Sequence, residues 1–415
     1  MNRLSISVAA LATATLLANC GGGGNPTTTG RAFGDIAVPT ITAGVSYSFD
    51  LGTVVNGKYY VTDRNNKAVD MLDLSTLTLS LITGSGANAF AGCSPTANCN
   101  AANNGKSGPD GINYIAPLNQ FYVGDVNSVK VIDAATSTVV KTIIVGNQGF
   151  RADEGCFDPD HNLYMISIPD ADQPYAAFIN VNTQTVIATV NWVDTDGNAA
   201  GGNEQCQYDH ATQTFIVNND ATLANPHGEV DVFAAAPIAA LPAGTVKGFL
   251  TLAGLKRYPL GNCDPTGLAL GAGREMAVEC RPGDKGVALT TLIVNRDTGA
   301  IVATVPIGGG DQVAYDDVRN LYYVAASRWH ASGVNDQGGG CSANNVCTPV
   351  VAMINAATHE IILTQATGNN AHSVAVDPVS GNVFVPYSSS TNPAGCGTCA
   401  ANGYVNGGIS IFKFG

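Results

Sequence analysis

One segment recurs along this chain with its chemistry kept and its letters changed. EGCFDPDHNLYMIS begins at Glu154, EQCQYDHATQTFIVN at Glu204, DQVAYDDVRNLYYVA at Asp311 and AHSVAVDPVSGNVFVPY at Ala371. Each copy opens on a polar residue, runs a short stretch to an Asp and turns through polar residues. It then enters an aromatic and β-branched strand, the pattern of a hairpin. Anchoring on the turn gives seven units, opening at Ser46, Asp110, Glu154, Glu204, Asp264, Asp311 and His372. A second strand–turn–strand follows in most units, as in KVIDAATSTVVKTIIV and TLIVNRDTGAIVATV. Four antiparallel strands repeated about seven times predict a β-propeller, because a solenoid uses shorter repeats and needs end caps.

The last unit stops after GGISIFKFG with three strands written. The segment AFGDIAVPTITAG ahead of the first unit supplies the missing outer strand, which closes the ring and removes its free edges. The expected fold is therefore all-β, a single seven-bladed propeller over residues 37–415, closed by an N-terminal strand. Composition agrees, with 12% charged residues, 48 Gly and no long helical periodicity among 415 residues.

The first twenty residues, MNRLSISVAALATATLLANC, read as an export signal, too short and wrongly flanked to span a membrane. Leu17-Ala18-Asn19-Cys20 resembles the lipobox of bacterial lipoproteins, so Cys20 is the expected lipidation site. A plain secretory signal cut nearby is the rival. The following GGGGNPTTTG suits a flexible tether, assigned to residues 21–36. Gly21 in place of Asp after the cysteine implies the outer membrane, facing the periplasm or the exterior, with membrane contact through the lipid only.

Eleven cysteines leave ten once Cys20 is set aside. Cys93/Cys99, Cys341/Cys347 and Cys396/Cys399 are close pairs in Gly-, Asn- and Ser-rich loops, and Cys263/Cys280 lie at opposite ends of one hairpin. Cys156 and Cys206 hold the same place in adjacent repeats, and their pairing is left open. A zinc site at CGTC lacks a matching ligand pair nearby in sequence. Disulfides imply an oxidising compartment. The net charge of −13 disfavours nucleic acid as a partner, and a monomer is expected.

YYVTD at 59–63, FYVGD at 121–125 and SVAVDPVSGNVFV resemble the YVTN-type propeller repeats of the YncE-like proteins. The resemblance covers nearly all of the chain beyond the tether and implies the seven-bladed fold. It specifies function weakly, because this architecture hosts lactonases, lyases, cyclases and binding platforms. The disulfide-bearing insertions and the acidic balance depart from that family.

In a propeller the first strand of each blade lines the central channel. The insertions at 84–109, 193–203, 253–263, 219–228, 281–288, 328–348 and 388–406 then crowd one face, with His227, His330 and His372. His161, His210 and His359 fall in turns of the opposite face, as do the turn-forming Asp158, Asp209, Asp316 and Asp377. At the mouth of the channel stand Asp110, Glu154, Glu204, Asp264, Asp311 and His372. Two carboxylates about 6 Å apart repel by roughly 3 kcal/mol at an effective dielectric near 20. Ionised acids around one axis therefore call for protonation, diversion to backbone partners or a cation. Oxygen ligands with one imidazole suit Ca²⁺ best. The plainer role of such residues is to hold channel water and cap strand ends.

Two functions follow. In one, Glu154, Glu204, Asp264, Asp311 and Asp110 hold a cation in a lactonase-like hydrolase or lyase. There Arg281 or Arg328 clamps a substrate carboxylate and His372 or His330 moves a proton. Trp329 stacks on a sugar or aromatic ring, so the ligand is a small or oligosaccharide-like molecule. In the other, the stapled loops form a non-catalytic module for a ligand or protein. Among these acids the His372 imidazole is expected to titrate above its usual value, whereas a bound cation would push it down and favour the neutral ring. The anchor has a direct check: Cys20→Ser releases the protein from the membrane fraction, and retention there contradicts the lipobox reading.

Overall fold

The computed structural model describes residues 34–95 and 99–414. Cys20, the export signal and the tether up to residue 33 lie outside the described residues. Seven sheets follow one another along the chain, each built on four antiparallel strands, with one extra strand added to the third sheet and an N-terminal strand completing the seventh. Their first strands are Phe49–Val55, Ile112–Ile115, Gly155–Asp158, Asn203–Asp209, Pro265–Leu270, Val313–Asp316 and Ala375–Val376. Each of these packs beside the next, and the last packs beside the first, so they form the inner wall of a seven-bladed propeller.

The seventh sheet is completed by Gly34–Ile36, antiparallel to Gly408–Lys413, with Gly34 opposite Ile411 and Ile36 opposite Ile409. This is the closure the sequence implies, but the strand lies just upstream of residue 37, inside the stretch assigned to the tether. Tyr387 donates its hydroxyl to Asp35 at 2.6 Å and so ties the closing strand to the blade.

The hairpin turns follow from their acids. Asp158 accepts from the backbone N–H of Asp160 and His161, and Asp316 from those of Val318 and Arg319. Asp209 and Asp377 do the same. Such side-chain turns satisfy the exposed N–H groups at the strand ends. The histidines of this far face pair with acids there: His161 with Asp158, His210 with Asp160 and His359 with Glu275.

Between blades, apolar side chains of facing sheets interdigitate. Phe178 of the third blade meets Phe215 of the fourth edge-on at 5.6 Å, a favoured geometry for aromatic pairs. Gly52 is required where it stands, because a Cβ there would come within 2.6 Å of the Tyr59 ring. The seventh blade's inner strand is only two residues long. Gln312 of the sixth blade compensates by reaching across to the backbone oxygen of Gly52 at 3.0 Å.

The fourth blade departs from the simple repeat. After its third strand the chain makes a short helix, Ala236–Ala239, and a strand, Thr245–Gly248, which pairs parallel with the fourth strand of the third blade. Phe249 then stacks on Trp192 at 5.5 Å. The blade's own fourth strand is Lys256–Pro259, so the insertion expected at 253–263 contains that strand. Burial of Phe249 on Trp192 explains the excursion: both rings are fully buried.

All five disulfides form: Cys93–Cys99, Cys156–Cys206, Cys263–Cys280, Cys341–Cys347 and Cys396–Cys399. Cys156–Cys206 joins the inner strands of the third and fourth blades, settling the pairing the sequence left open. No helix among the described residues is long and apolar enough to cross a membrane.

Candidate functional site

One position of the inner strand, counted back from the turn, sets the site. Asp50 stands five residues before Val55, Asp153 five before Asp158 and Glu204 five before Asp209. Asp311 and His372 stand five before Asp316 and Asp377. All five side chains line one cavity of about 180 Å³ at the channel mouth, together with Arg64, Asn104, Arg151, Arg281 and Arg328. Asn104 comes from the 84–109 insertion and Arg328 from the 328–348 insertion, so the cavity opens on the loop face.

Several expected site residues sit elsewhere. Glu154 is one place out of register; Asp153 takes the cavity position, and Glu154 is buried with one carboxyl oxygen lacking a partner. In the first blade the register residue is Asp50; Ser46 lies in the preceding loop, its N–H bonded to Asn100. Asp110 is fully buried behind the cavity wall, under Arg64 and Arg151. Asp264 accepts from the Gly283 N–H at 3.0 Å and lies 3.6 Å from His227, off the cavity. His330 is buried against the Cys347 sulfur and Asp336, also away from it. Of the residues expected at the mouth, Glu204, Asp311, His372, Arg281 and Arg328 come together.

The crowded acids find arginines. Arg64 bridges Asp50 at 2.8 Å and Asp110, and donates to the Phe49 carbonyl at 2.9 Å. Arg151 meets Asp153 at 2.7 Å and Asp170 at 2.8 Å, with Asp50 and Asp110 within 3.8 Å. Arg281 holds Asp311 at 2.9 Å. Burial pushes the Asp50 carboxyl up, but Arg64, Arg151 and His372 together draw it below the usual range. Burial and the Asp311 charge push Glu204 up to about 7, against Arg281 and Arg151.

Arg328 differs from the other three. No hydrogen bond or ion pair engages its side chain among the described residues. The Arg281 guanidinium beside it, and then burial, push it down to about 9, so it remains charged at neutral pH. It is a cation at the mouth without a bonded counter-charge.

His372 stacks on Phe49 at 4.4 Å, nearly parallel. Its Nδ1 lies 2.7 Å from the Asn370 carbonyl, which can only accept, so Nδ1 carries the proton and Nε2 is left as an acceptor. The expected upward pKa shift is corrected here. Burial outweighs the pull of Asp311 and Asp50, and Arg64 adds to it, so the imidazole titrates below its usual value and is neutral at pH 7.

Two groups of side chains bring ligand atoms within 4.8 Å of one another: Asp50, Asp311 and His372, and Asp50, Asp110 and Asp153. Calcium takes six to eight oxygens. The first group offers three donors, one of them nitrogen, and its carboxylates already meet Arg64 and Arg281. The second is spanned by Arg64 and Arg151. A calcium ion at either place would have to compete with arginines already paired to its carboxylate ligands.

Sequence reasoning missed Asp50, Arg64, Arg151 and Asp153. Counting back from the turn finds both acids. Arg64 carries a further signal, since it directly follows a second strand, as Arg281 does.

Glu204 gives a pH test. Its folded pKa is raised, so its contribution to stability is present below about pH 4.5 and lost as pH rises through about 7. Glu204→Gln removes that loss. Its melting temperature should exceed that of the parent at pH 8, by the equivalent of about 3 kcal/mol at most, and match it near pH 4.5. A difference independent of pH contradicts the assignment.

No protein-family model and no curated protein matches the chain. Solved structures do. A chain of Kuenenia stuttgartiensis hydrazine synthase is similar over 92% of this chain and 99% of its own, with a TM-score of 0.60 at 12% identity. A structure of U3-55K is similar over 93% and 100%, at 0.55 and 8%. The WD40 β-propeller domain of Doa1 follows over 91% and 98%, at 0.52 and 10%. At such identities the likeness is one of fold: the chain is a seven-bladed β-propeller.

Proposed function

We propose that the channel mouth binds a small ligand carrying a carboxylate, with Arg328 as its anchor. The observation that carries this reading is the spare guanidinium. Arg64, Arg151 and Arg281 are each taken up by acids of the ring, while Arg328 faces the same cavity with no bonded partner. A planar guanidinium takes a carboxylate through two parallel hydrogen bonds. At about 180 Å³ the cavity is smaller than most sites for drug-sized ligands, which limits the ligand to a small acid or the acidic end of a longer one.

A hydrolase or lyase reading is supported by His372. A neutral imidazole with a free Nε2, beside Asp311 and Asp50, is poised to accept a proton from a bound acid, lactone or attacking water. Binding without chemistry needs only Arg328; turnover needs both. The cation-dependent form has less support, since the arginines already offset the acids that would hold the ion. Attachment to the outer membrane through Cys20, and kinship with the YVTN-type propellers, rest on sequence motifs and belong to the same proposal.

The test is ligand-dependent stability, because a ligand that binds only the folded state raises its melting temperature. Acetate, malonate and succinate at millimolar concentration should raise the melting temperature beyond chloride at equal ionic strength. Arg328→Gln should remove the increment while leaving the ligand-free value within a few degrees. An increment that survives in Arg328→Gln, or none with any acid, contradicts the reading.

A further inference from the structure

We propose that a second cavity, on the outer side of the sixth blade, binds a neutral sugar. It measures about 540 Å³, within the size range of small-molecule sites. Trp329 forms one wall, with Ile307, Val350 and Ile361 as further apolar lining. Arg328 and Trp329 are adjacent in sequence but line different cavities, so this site is independent of the channel mouth.

Three observations define the ligand's chemistry. The first is charge. Among the described residues no ionisable side chain lines the cavity, although the chain as a whole carries −13. A charged ligand would lose its hydration with nothing to replace it. The second is the set of polar groups around the indole. The Thr398 hydroxyl is buried and has no hydrogen-bond partner. Thr364 makes no side-chain hydrogen bond among the described residues, and Asn402 uses only its amide nitrogen, donating to the Thr398 carbonyl. A purely apolar ligand would seal these groups unpaired, at the cost of their desolvation. A polyol with one apolar face satisfies them and covers the ring.

The third is that the cavity is held in shape. Thr348 follows Cys347, and Thr398 lies between Cys396 and Cys399. The two staples are joined by backbone hydrogen bonds, from Cys347 N–H to the Gly395 carbonyl at 2.7 Å and from Gly397 N–H to the Cys347 carbonyl at 2.8 Å. Thr348 N–H in turn bonds the Trp329 carbonyl at 2.7 Å. The disulfide-bearing insertions of the sixth and seventh blades thus fix the indole and its polar neighbours before any ligand arrives, which lowers the cost of binding. The volume suits a ligand of mono- to disaccharide size.

The chain has two tryptophans, and Trp192 is fully buried between the third and fourth blades, so emission changes report on Trp329. The protein is titrated with glucose, N-acetylglucosamine, maltose and cellobiose. At least one should give a saturable change in emission, weakened tenfold or more in Thr398→Val at an unchanged melting temperature. If that variant does not fold, Thr364→Val gives the same readout. The proposal is overturned by no saturable response to any of the four, by an undiminished response in the folded variant, or by glucuronate matching the neutral sugars.

Discussion

Seven strands that converge on one axis bring the residues at their entrances within electrostatic reach of one another. Here those residues are mostly carboxylic acids, and their mutual repulsion has to be met inside the ring. The structure meets it with guanidinium groups. Arg64 and Arg151 tie Asp50, Asp110 and Asp153 into one buried network, and Arg281 holds Asp311. Removing one partner from such a network leaves an uncompensated buried charge, which typically costs about 3–5 kcal/mol. The same pairing underlies the ligand preference proposed for the mouth. With the acids engaged, the group left over is a cation, Arg328, and the imidazole beside them is neutral.

The scaffold explains why this arrangement can be held so closely. The inner strands are fixed by the sheets behind them and by apolar packing between blades. The ring is closed by Gly34–Ile36 on the last strand of the chain, so no blade edge at the closure is left to move. Cys156–Cys206 binds two inner strands next to the mouth. Apart from the 235–255 excursion, the long insertions lie on one face, where stapled loops shape both the mouth and the cavity around Trp329. Rigid blades with loops on one face place binding groups without the blades themselves changing.

Much of the fold was legible because it is written seven times. The turn acids Asp158, Asp209, Asp316 and Asp377 mark the hairpins, and the three-stranded end of the chain announces its missing partner. The excursion at 235–255 was not legible, because Phe249 reaches back to Trp192 in the preceding blade and no repeat signals that contact. At the site, the failures came from counting. A one-residue slip along a strand exchanges the face on which a side chain stands, and it exchanged Asp153 for Glu154. The sign of the His372 shift failed for a different reason. Sequence shows the acids near an imidazole, but not the arginines already bound to them, nor the Phe49 ring that buries it.

We propose that arginines balance the acids of the channel mouth in place of a metal ion. Calorimetric titration of calcium into chelator-treated protein tests it most directly. No saturable binding is expected at millimolar calcium, and none restored or removed by Asp50→Asn. Stoichiometric calcium binding that is lost in Asp50→Asn would contradict it.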